Sequence, residues 1–277
     1  MNSISDSAVY LQHGSIKIRL DGLSLTSRDS IQELVKTFIP DTPLSTDIEV
    51  FAAFLEHCVN SKSADAPAVL DAFCERYSID SAVNNIHCII DKHGLDESGA
   101  QLVLRAFYLL WSNPASSHRY NPKSPSSALL SPESTASVMA LFGGQHGGST
   151  SCMDEASWLL DVYGPLVSEY AASMSEFLDT ESKDPRVSQV YQHGLDVYKW
   201  ICKPATKPSN DYVCGSAINL PVFGLTQLMQ IMVLFKTLGL SPGELVSRFK
   251  VAVGHSQGVA SAAAFSMLTD EASFESI

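Results

Sequence analysis

Apolar residues recur at helical spacing through most of the first 111 positions of the chain. Two short apolar runs come first, at residues 9–11 and 16–20, and the alternating second run predicts two strands joined by a turn at Gly14. Ser30 is the predicted N-cap of the first helix, which Pro40 ends. The helical groups are Ile31, Leu34, Val35 and Phe38; Ile48, Phe51, Ala52 and Leu55; Val69, Leu70 and Phe73; and Leu102, Val103, Ala106, Phe107, Leu109 and Leu110. The pattern predicts a mainly helical N-terminal region at residues 1–112.

A stretch rich in proline and serine interrupts these patterns at residues 113–132. It contains Pro114, Pro122, Pro125 and Pro132. Proline removes a backbone donor and blocks helix continuation, so this density excludes a helix or an inner strand. We predict a linker here, followed by a second domain at residues 133–277.

The second domain alternates short apolar runs with helical patterns. The predicted strands are residues 137–142 and 251–253, and the predicted helices cover residues 158–170, 187–200, 225–238 and 259–268. Gly239 is a typical helix stop, and Ser241 with Pro242 and Glu244 is a typical helix start. Strand, turn and helix units joined by further helices predict an α/β domain with parallel strands.

Composition narrows the class of protein. The 277 residues carry a formal charge of −12, which argues against a nucleic-acid partner, and 45% of them are hydrophobic, which is enough for a sizeable core. The six cysteines have no metal-ligand spacing, so we expect no metal site and reduced thiols in a cytoplasmic protein without a signal peptide. Residues 212–235 carry no charge, but Asn219, Pro221 and Gln227 interrupt them, which favours a buried helix over a membrane span.

The candidate chemistry is the sequence Gly254-His255-Ser256-Gln257-Gly258, a G-x-S-x-G motif between a strand and a helix. This context places a serine hydroxyl on a tight turn at the carboxyl end of the strand. The helix that follows directs backbone N–H groups at the site, so the Gln257 N–H is a candidate donor to an oxyanion. The motif predicts Ser256 as a nucleophile; the alternative is a structural turn with an inert serine.

Two adjacent glycines, Gly143 and Gly144, follow the predicted strand at residues 137–142, and Gln145 comes directly after them. On a functional interpretation of this segment, the Gln145 backbone N–H is the second donor to the oxyanion. The alternative is an ordinary glycine-rich turn. Gln145 precedes Ser256 by 111 residues, which is room for a helical insertion between two adjacent strands. The spacing does not match G-x-G-x-x-G, so a dinucleotide site is a poor interpretation.

Three runs carry a resemblance that covers the chain from about residue 9 to its end. These are LFGGQHG, QHGLDVYKWICKP and INLPVFGLTQLMQIMVLFKTLGLSPGELVSRFKVAVGHSQGVASAAA. They resemble the acetyltransferase domain of the fungal fatty acid synthase β subunit, and LQHGSIKIRL resembles the start of that subunit. Starter-unit acyl-carrier-protein transacylase domains of fungal polyketide synthases are similar at greater distance.

The resemblance implies a role for each matching residue. Ser256 would accept the acyl group, Gln257 and Gln145 would donate backbone N–H groups to the oxyanion, Gly254 and Gly258 would permit the turn, and His255 would pack beside it. His146 departs from the family's glycine. The family's general base is a histidine farther downstream than the 21 residues after Ser256, and no upstream histidine matches it, so we expect an N-terminal piece with an open sheet edge and an uncovered apolar face.

The fold expected from this is an incomplete acyltransferase core, similar to α/β-hydrolases, preceded by the mainly helical region. The expected function is acyl transfer, with acetyl as the expected group, from coenzyme A to the phosphopantetheine of an acyl carrier protein, without a bound cofactor. The alternative is a non-catalytic assembly piece that docks on fatty acid synthase α or β chains or on a separate C-terminal half. A serine hydrolase needs an acid and a histidine after the serine, and 21 residues leave no room for them.

Overall fold

The structure, a computed structural model, describes residues 8–40, 43–79, 86–111, 136–144 and 151–276. It divides into two units, Met1–Lys123 and Ser124–Ile277. The predicted linker at 113–132 lies outside the described residues. The domain limits at 112 and 133 therefore stay predictions.

The first unit begins with an antiparallel hairpin, as predicted, and continues as helices. The strands are β1 (Val9–His13) and β2 (Ile16–Leu20), joined at Gly14, where φ is +57°. The helices are α1 (Leu25–Thr37), α2 (Asp47–Asn60), α3 (Ala66–Tyr77), α4 (Ile86–His93) and α5 (Glu97–Trp111). Leu11 and Ile18 are fully buried, so the alternation in the hairpin places its apolar face in the core.

Aromatic side chains form the core of this unit, with α2 packed along α5 and beside α3. Phe51 of α2 and Phe73 of α3 meet edge to face with ring centroids 5.2 Å apart. Phe107 and Tyr108 of α5 are almost fully buried and also meet edge to face, at 5.2 Å. Such pairs add about 0.5–1.5 kcal/mol beyond the area that they bury.

The predicted start of α1 at Ser30 is wrong. The helix begins at Leu25, and the side chain of Ser24 accepts the hydrogen bond from the Ser27 backbone N–H. The first turn escaped prediction because Leu25 is 68% exposed and the residues after it are polar, so no apolar periodicity marks it. The short helix α4 was not predicted either.

The second unit contains a two-stranded sheet and a series of helices. The elements are β3 (Val138–Phe142), α6 (Ser151–Ser182), α7 (Val197–Cys202), a 3-10 turn (Pro204–Thr206), α8 (Asn210–Val213), α9 (Ser216–Leu238), α10 (Pro242–Ser247), β4 (Phe249–Gly254), α11 (Gly258–Met267) and α12 (Glu271–Glu275). β3 and β4 pair in parallel, as predicted, with Phe142 opposite Gly254.

The sheet is covered on one face. Phe265 of α11 packs between Phe142 and Phe249, with ring centroids 5.5 Å and 5.3 Å away. The other face presents Met139, Leu141, Val251 and Val253, which are 40–73% exposed. Parallel strands are normally covered on both faces, whereas among the described residues this apolar face is left uncovered, as predicted.

The predicted helix at residues 187–200 is largely wrong. Residues 183–190 form turns, Gly194 has a φ of +73°, and the helix α7 starts only after Asp196, whose side chain accepts from the Lys199 N–H. Asp179 of α6 also accepts the Leu195 N–H at 3.1 Å and holds this segment against the long helix. The hydrogen bonds to the Asp179 and Asp196 side chains hold this segment out of a helix, although its apolar residues have helical spacing.

The helix α9 is longer than predicted and includes Pro221, and Gly239 ends it in a left-handed conformation, as predicted. It is long and apolar enough, by length and composition, to cross a membrane, and 56% of its most apolar stretch is buried inside the protein. It packs along α6, and Asn219 and Thr226 are both buried with partners in that helix. This packing favours the predicted core helix.

The part of the chain that the structure describes is therefore mostly helical with a small parallel sheet. That architecture is compatible with an α/β acyltransferase-like region. It does not confirm the larger core of the α/β-hydrolase type, because the described residues contribute two parallel strands.

Candidate active site

Ser256 occupies the tight turn between β4 and α11. Its backbone is left-handed, with a φ of 54°, and the residue is exposed. A non-glycine residue in this region costs of order 1 kcal/mol and persists where the surrounding structure enforces it. The strand, turn and helix context predicted for the G-x-S-x-G motif is confirmed.

Hydrogen bonds fix this turn to the end of the neighbouring strand. The His255 N–H donates to the Phe142 carbonyl oxygen at 3.0 Å, which extends the pairing of β3 and β4 into the turn. The Gly258 N–H then donates to the His255 oxygen at 2.9 Å, and the Val259 N–H donates to the Ser256 oxygen at 3.1 Å. The first turn of α11 is thereby locked onto the sheet.

Two glycines permit the close approach of these segments. A β-carbon at Gly254 would overlap the backbone of Gly258, and a β-carbon at Gly258 would overlap the carbonyl oxygens of Phe142 and Gly143. Gly254 and Gly258 are therefore required, because a side chain at either position would overlap the backbone of a neighbouring segment.

The Gly143-Gly144 loop lies against the serine. A β-carbon built on Gly144 would be 2.8 Å from the β-carbon of Ser256 and 3.0 Å from the Nδ1 atom of His255. At Gly143 the same construction meets nothing within 4 Å. The parallel pairing of β3 and β4 thus brings together two motifs that are more than a hundred residues apart in the sequence.

The predicted support residues are placed only in part. In the described part of the chain no acceptor takes the Gln257 N–H, which lies at the N-terminal end of α11, and this leaves it available to an oxyanion. His255 is exposed, and its backbone rather than its ring closes the turn. Gln145 and His146 lie outside the described residues, so the second oxyanion donor and the effect of His146 stay predictions.

Metal-ligating side chains do not cluster among the described residues. These residues contain no group of three His, Cys, Asp or Glu side chains that could hold a metal ion. All six cysteines are described and free of disulfides. Burial raises the pKa of Cys152, which accepts a hydrogen bond from Asn219, so this thiol stays protonated at neutral pH.

Sequence reasoning missed the contribution of α9 to the site. The Gln227 side chain donates from Nε2 to the Gly143 carbonyl oxygen at 3.3 Å, and a β-carbon on Gly224 would lie 3.6 Å from Nε2 of Gln257. In the sequence these residues stand in an apolar helical run. The available signal was Gln227 itself, a polar residue on a buried face.

Comparisons with known proteins match the part of the chain that contains this site. Residues 140–277 match the family of the starter unit:ACP transacylase in aflatoxin biosynthesis. The fatty acid synthase subunit beta of Schizosaccharomyces pombe is 38% identical over 193 residues, which is 70% of this chain and 9% of that protein. The fatty acid synthase beta subunit aflB of Emericella nidulans is 36% identical over 128 residues, which is 46% of this chain and 6% of the relative.

A further relative is the fatty acid synthase beta subunit pigK of Monascus ruber, 28% identical over 193 residues, or 68% of this chain and 9% of that protein. The chain thus spans about a tenth or less of the length of these relatives. The region matched by the transacylase family begins in β3 and includes both the Gly143-Gly144 loop and Ser256. The chain is therefore similar to the fungal fatty acid synthase β subunits, and its residues 140–277 match the starter unit:ACP transacylase family.

Proposed function

We propose that this chain supplies the nucleophile for acyl transfer from coenzyme A to an acyl carrier protein, in a synthase that makes fatty acids or polyketide starter units. The observation that carries the proposal is the exposed Ser256 in a left-handed turn, with Gly144 in contact with it and the Gln257 N–H without an acceptor among the described residues. The transacylase family match supports the same reaction. We expect acetyl as the acyl group, a cytoplasmic location and an acyltransferase core similar to that of α/β-hydrolases.

The reaction proceeds in two balanced steps. The Ser256 Oγ attacks the thioester carbonyl carbon, the bond from that carbon to the coenzyme A sulfur breaks, and the serine proton passes through a base to the departing thiol. The phosphopantetheine thiol of the carrier protein then attacks the acyl-serine, the ester bond breaks, and the serine regains a proton. In both steps the negative charge on the carbonyl oxygen is stabilised by backbone N–H groups such as that of Gln257.

Acylation of the serine is the direct test. The chain is incubated with isotope-labelled acetyl-CoA, digested, and the peptide that contains residue 256 is analysed by mass spectrometry. We expect an added acetyl group on Ser256 and none on that peptide in Ser256→Ala. Equal labelling of both proteins would remove Ser256 from the mechanism.

The uncovered face of the sheet favours a second candidate function, a non-catalytic assembly piece. Leu141 is 73% exposed and Met139 is 56% exposed on a face that parallel strands normally bury. On this alternative the face docks on a synthase chain or on a separate polypeptide that completes the sheet. A monodisperse, cooperatively melting monomer that also acylates Ser256 would contradict it.

A further inference from the structure

The side chain of Gln227 connects the helix α9 to the loop that touches the nucleophile. Gln227 is 8% exposed, and its Nε2 donates to the Gly143 carbonyl oxygen at 3.3 Å. The neighbouring polar residues of α9 have other partners. Thr226 donates to the Val222 and Cys152 carbonyl oxygens, and Gln230 donates to Glu155.

The Gly143 carbonyl group lies between two elements of the site. Its oxygen lies beside Gly258, where a β-carbon would overlap it, so the carbonyl is confined between the serine turn and α9. The peptide group is planar, and the direction of the Gly143 carbonyl therefore fixes the direction of the Gly144 N–H as well. Gly144 is the residue in contact with Ser256.

The Oε1 atom of the Gln227 side chain lowers the stability of the fold. In the described part of the chain the Oε1 atom of Gln227 is buried without a hydrogen-bond partner. An unsatisfied buried acceptor destabilises the folded state, whereas a leucine of similar size would fill the same space without that cost. The gain that offsets this cost is the hydrogen bond from Nε2 to the glycine loop.

We propose that Gln227 is a positioning residue for acyl transfer at Ser256: its side-chain amide holds the Gly143 carbonyl and so keeps Gly144 against the nucleophile. Gln227 acts through the loop and does not itself touch the acyl group. The inference rests on the proposed function, and it adds a residue of a distant helix to the machinery of the site.

Two variants test the proposal by the rate of Ser256 acylation from acetyl-CoA. Gln227→Leu removes the donor together with the unsatisfied acceptor; we expect a melting temperature at or above that of the wild type and acylation at least tenfold slower. Gln227→Glu can donate a hydrogen bond only while its carboxyl group is protonated, so its rate relative to the wild type should fall as the pH rises from 5 to 8. Gln192→Glu, an exposed change of the same charge, serves as the control and should acylate normally at every pH.

Wild-type rates in both Gln227 variants across this pH range would overturn the proposal. If the wild-type chain itself fails to acylate, the proposed function fails, and hydrogen exchange then decides whether Gln227 holds the loop. Faster exchange in Gln227→Leu confined to peptides that cover residues 139–144 and 254–258 would support the positioning role. Unchanged exchange in those peptides would overturn it.

Discussion

Gly144 lies so close to Ser256 that a methyl group on the glycine would come within 2.8 Å of the serine β-carbon. Real β-carbons essentially never approach another atom this closely, so an alanine at this position must displace the loop or the serine turn. Gly143, one residue earlier, has free space where its β-carbon would be. The two adjacent glycines therefore form a matched pair for testing the geometry of the site.

Gly144→Ala should lower the rate of Ser256 acylation by a factor of about 100, because a shift of about 1 Å at a reacting group costs that much. Gly143→Ala should acylate much faster than Gly144→Ala, because a β-carbon on Gly143 meets nothing within 4 Å. The measurement is the initial rate of acyl-serine formation from acetyl-CoA, followed by mass spectrometry at fixed protein concentration. Equal rates for the two variants would show that contact with Gly144 does not control the serine.

Phe274 anchors the last helix of the described chain. It is 2% exposed, and its ring meets Tyr170 at 4.9 Å and Phe235 at 5.6 Å, so α12 is tied to both α6 and α9. Phe274→Ala should lower the free energy of unfolding by about 3 kcal/mol through lost burial and a cavity. Urea unfolding followed by the fluorescence of the three tryptophans measures this loss. Met267→Ala, at a site 66% exposed, should change it by less than about 0.5 kcal/mol, and similar losses in both variants would contradict the anchoring role.

Glu49 should make the stability of the helical unit depend on pH. Burial would raise the pKa of its carboxyl group, but hydrogen bonds from Thr46 and Ser45 outweigh burial and hold the pKa below its ordinary value. The folded state therefore binds this proton less readily than the unfolded state does. The contribution of Glu49 is fully present above the unfolded pKa, near 4.5, and is lost as the pH falls through the lower folded value.

Glu49→Gln should cost about 1 kcal/mol of unfolding free energy at pH 7, because bonds to a neutral acceptor are weaker than bonds to a carboxylate. The difference from the wild type should shrink as the pH is lowered from 5 to 3. Urea unfolding followed by circular dichroism at several pH values gives both quantities. Glu33→Gln, in an exposed pair with Lys36, is the control, and an equal, pH-dependent loss in that variant would assign the effect to general charge instead.

The uncovered face of the sheet should drive self-association of the isolated chain. Leu141→Lys places a charge in the middle of that face without removing buried contacts, since the residue is 73% exposed. We expect a lower sedimentation-average mass than that of the wild type at the same concentration. Leu25→Lys, at an exposed leucine of α1, controls for added charge; association that persists in Leu141→Lys would remove the face as its cause.

The sequence predicts the elements that apolar periodicity and capping residues mark together. The hairpin, α2, the end of α9 at Gly239 and the two strands around the glycine motifs all belong to this group. The predictions fail where polar side chains decide the backbone. Ser24 starts α1 in an exposed turn, and Asp179 and Asp196 keep the segment before Val197 out of a helix.

The candidate site divides in the same way. The motif predicts the turn at Ser256 because the turn needs glycines at fixed positions close to the serine, and these glycines are visible in the sequence. The approach of Gly144 to Ser256 follows from strand pairing, which the sequence only suggests. The hydrogen bond from Gln227 to Gly143 depends on how α9 rotates against the sheet, and no local pattern encodes that rotation.

The strands β3 and β4 are direct neighbours, yet the chain between them is roughly a hundred residues long and contains the helices α6 to α10. Closing so large a loop costs entropy before any strand contact is gained, so we expect this pairing to form late as the domain folds. A ribosome must also finish the whole segment before the two ends can meet. The contact between Gly144 and Ser256 therefore forms only after the whole segment from β3 to β4 has been synthesised.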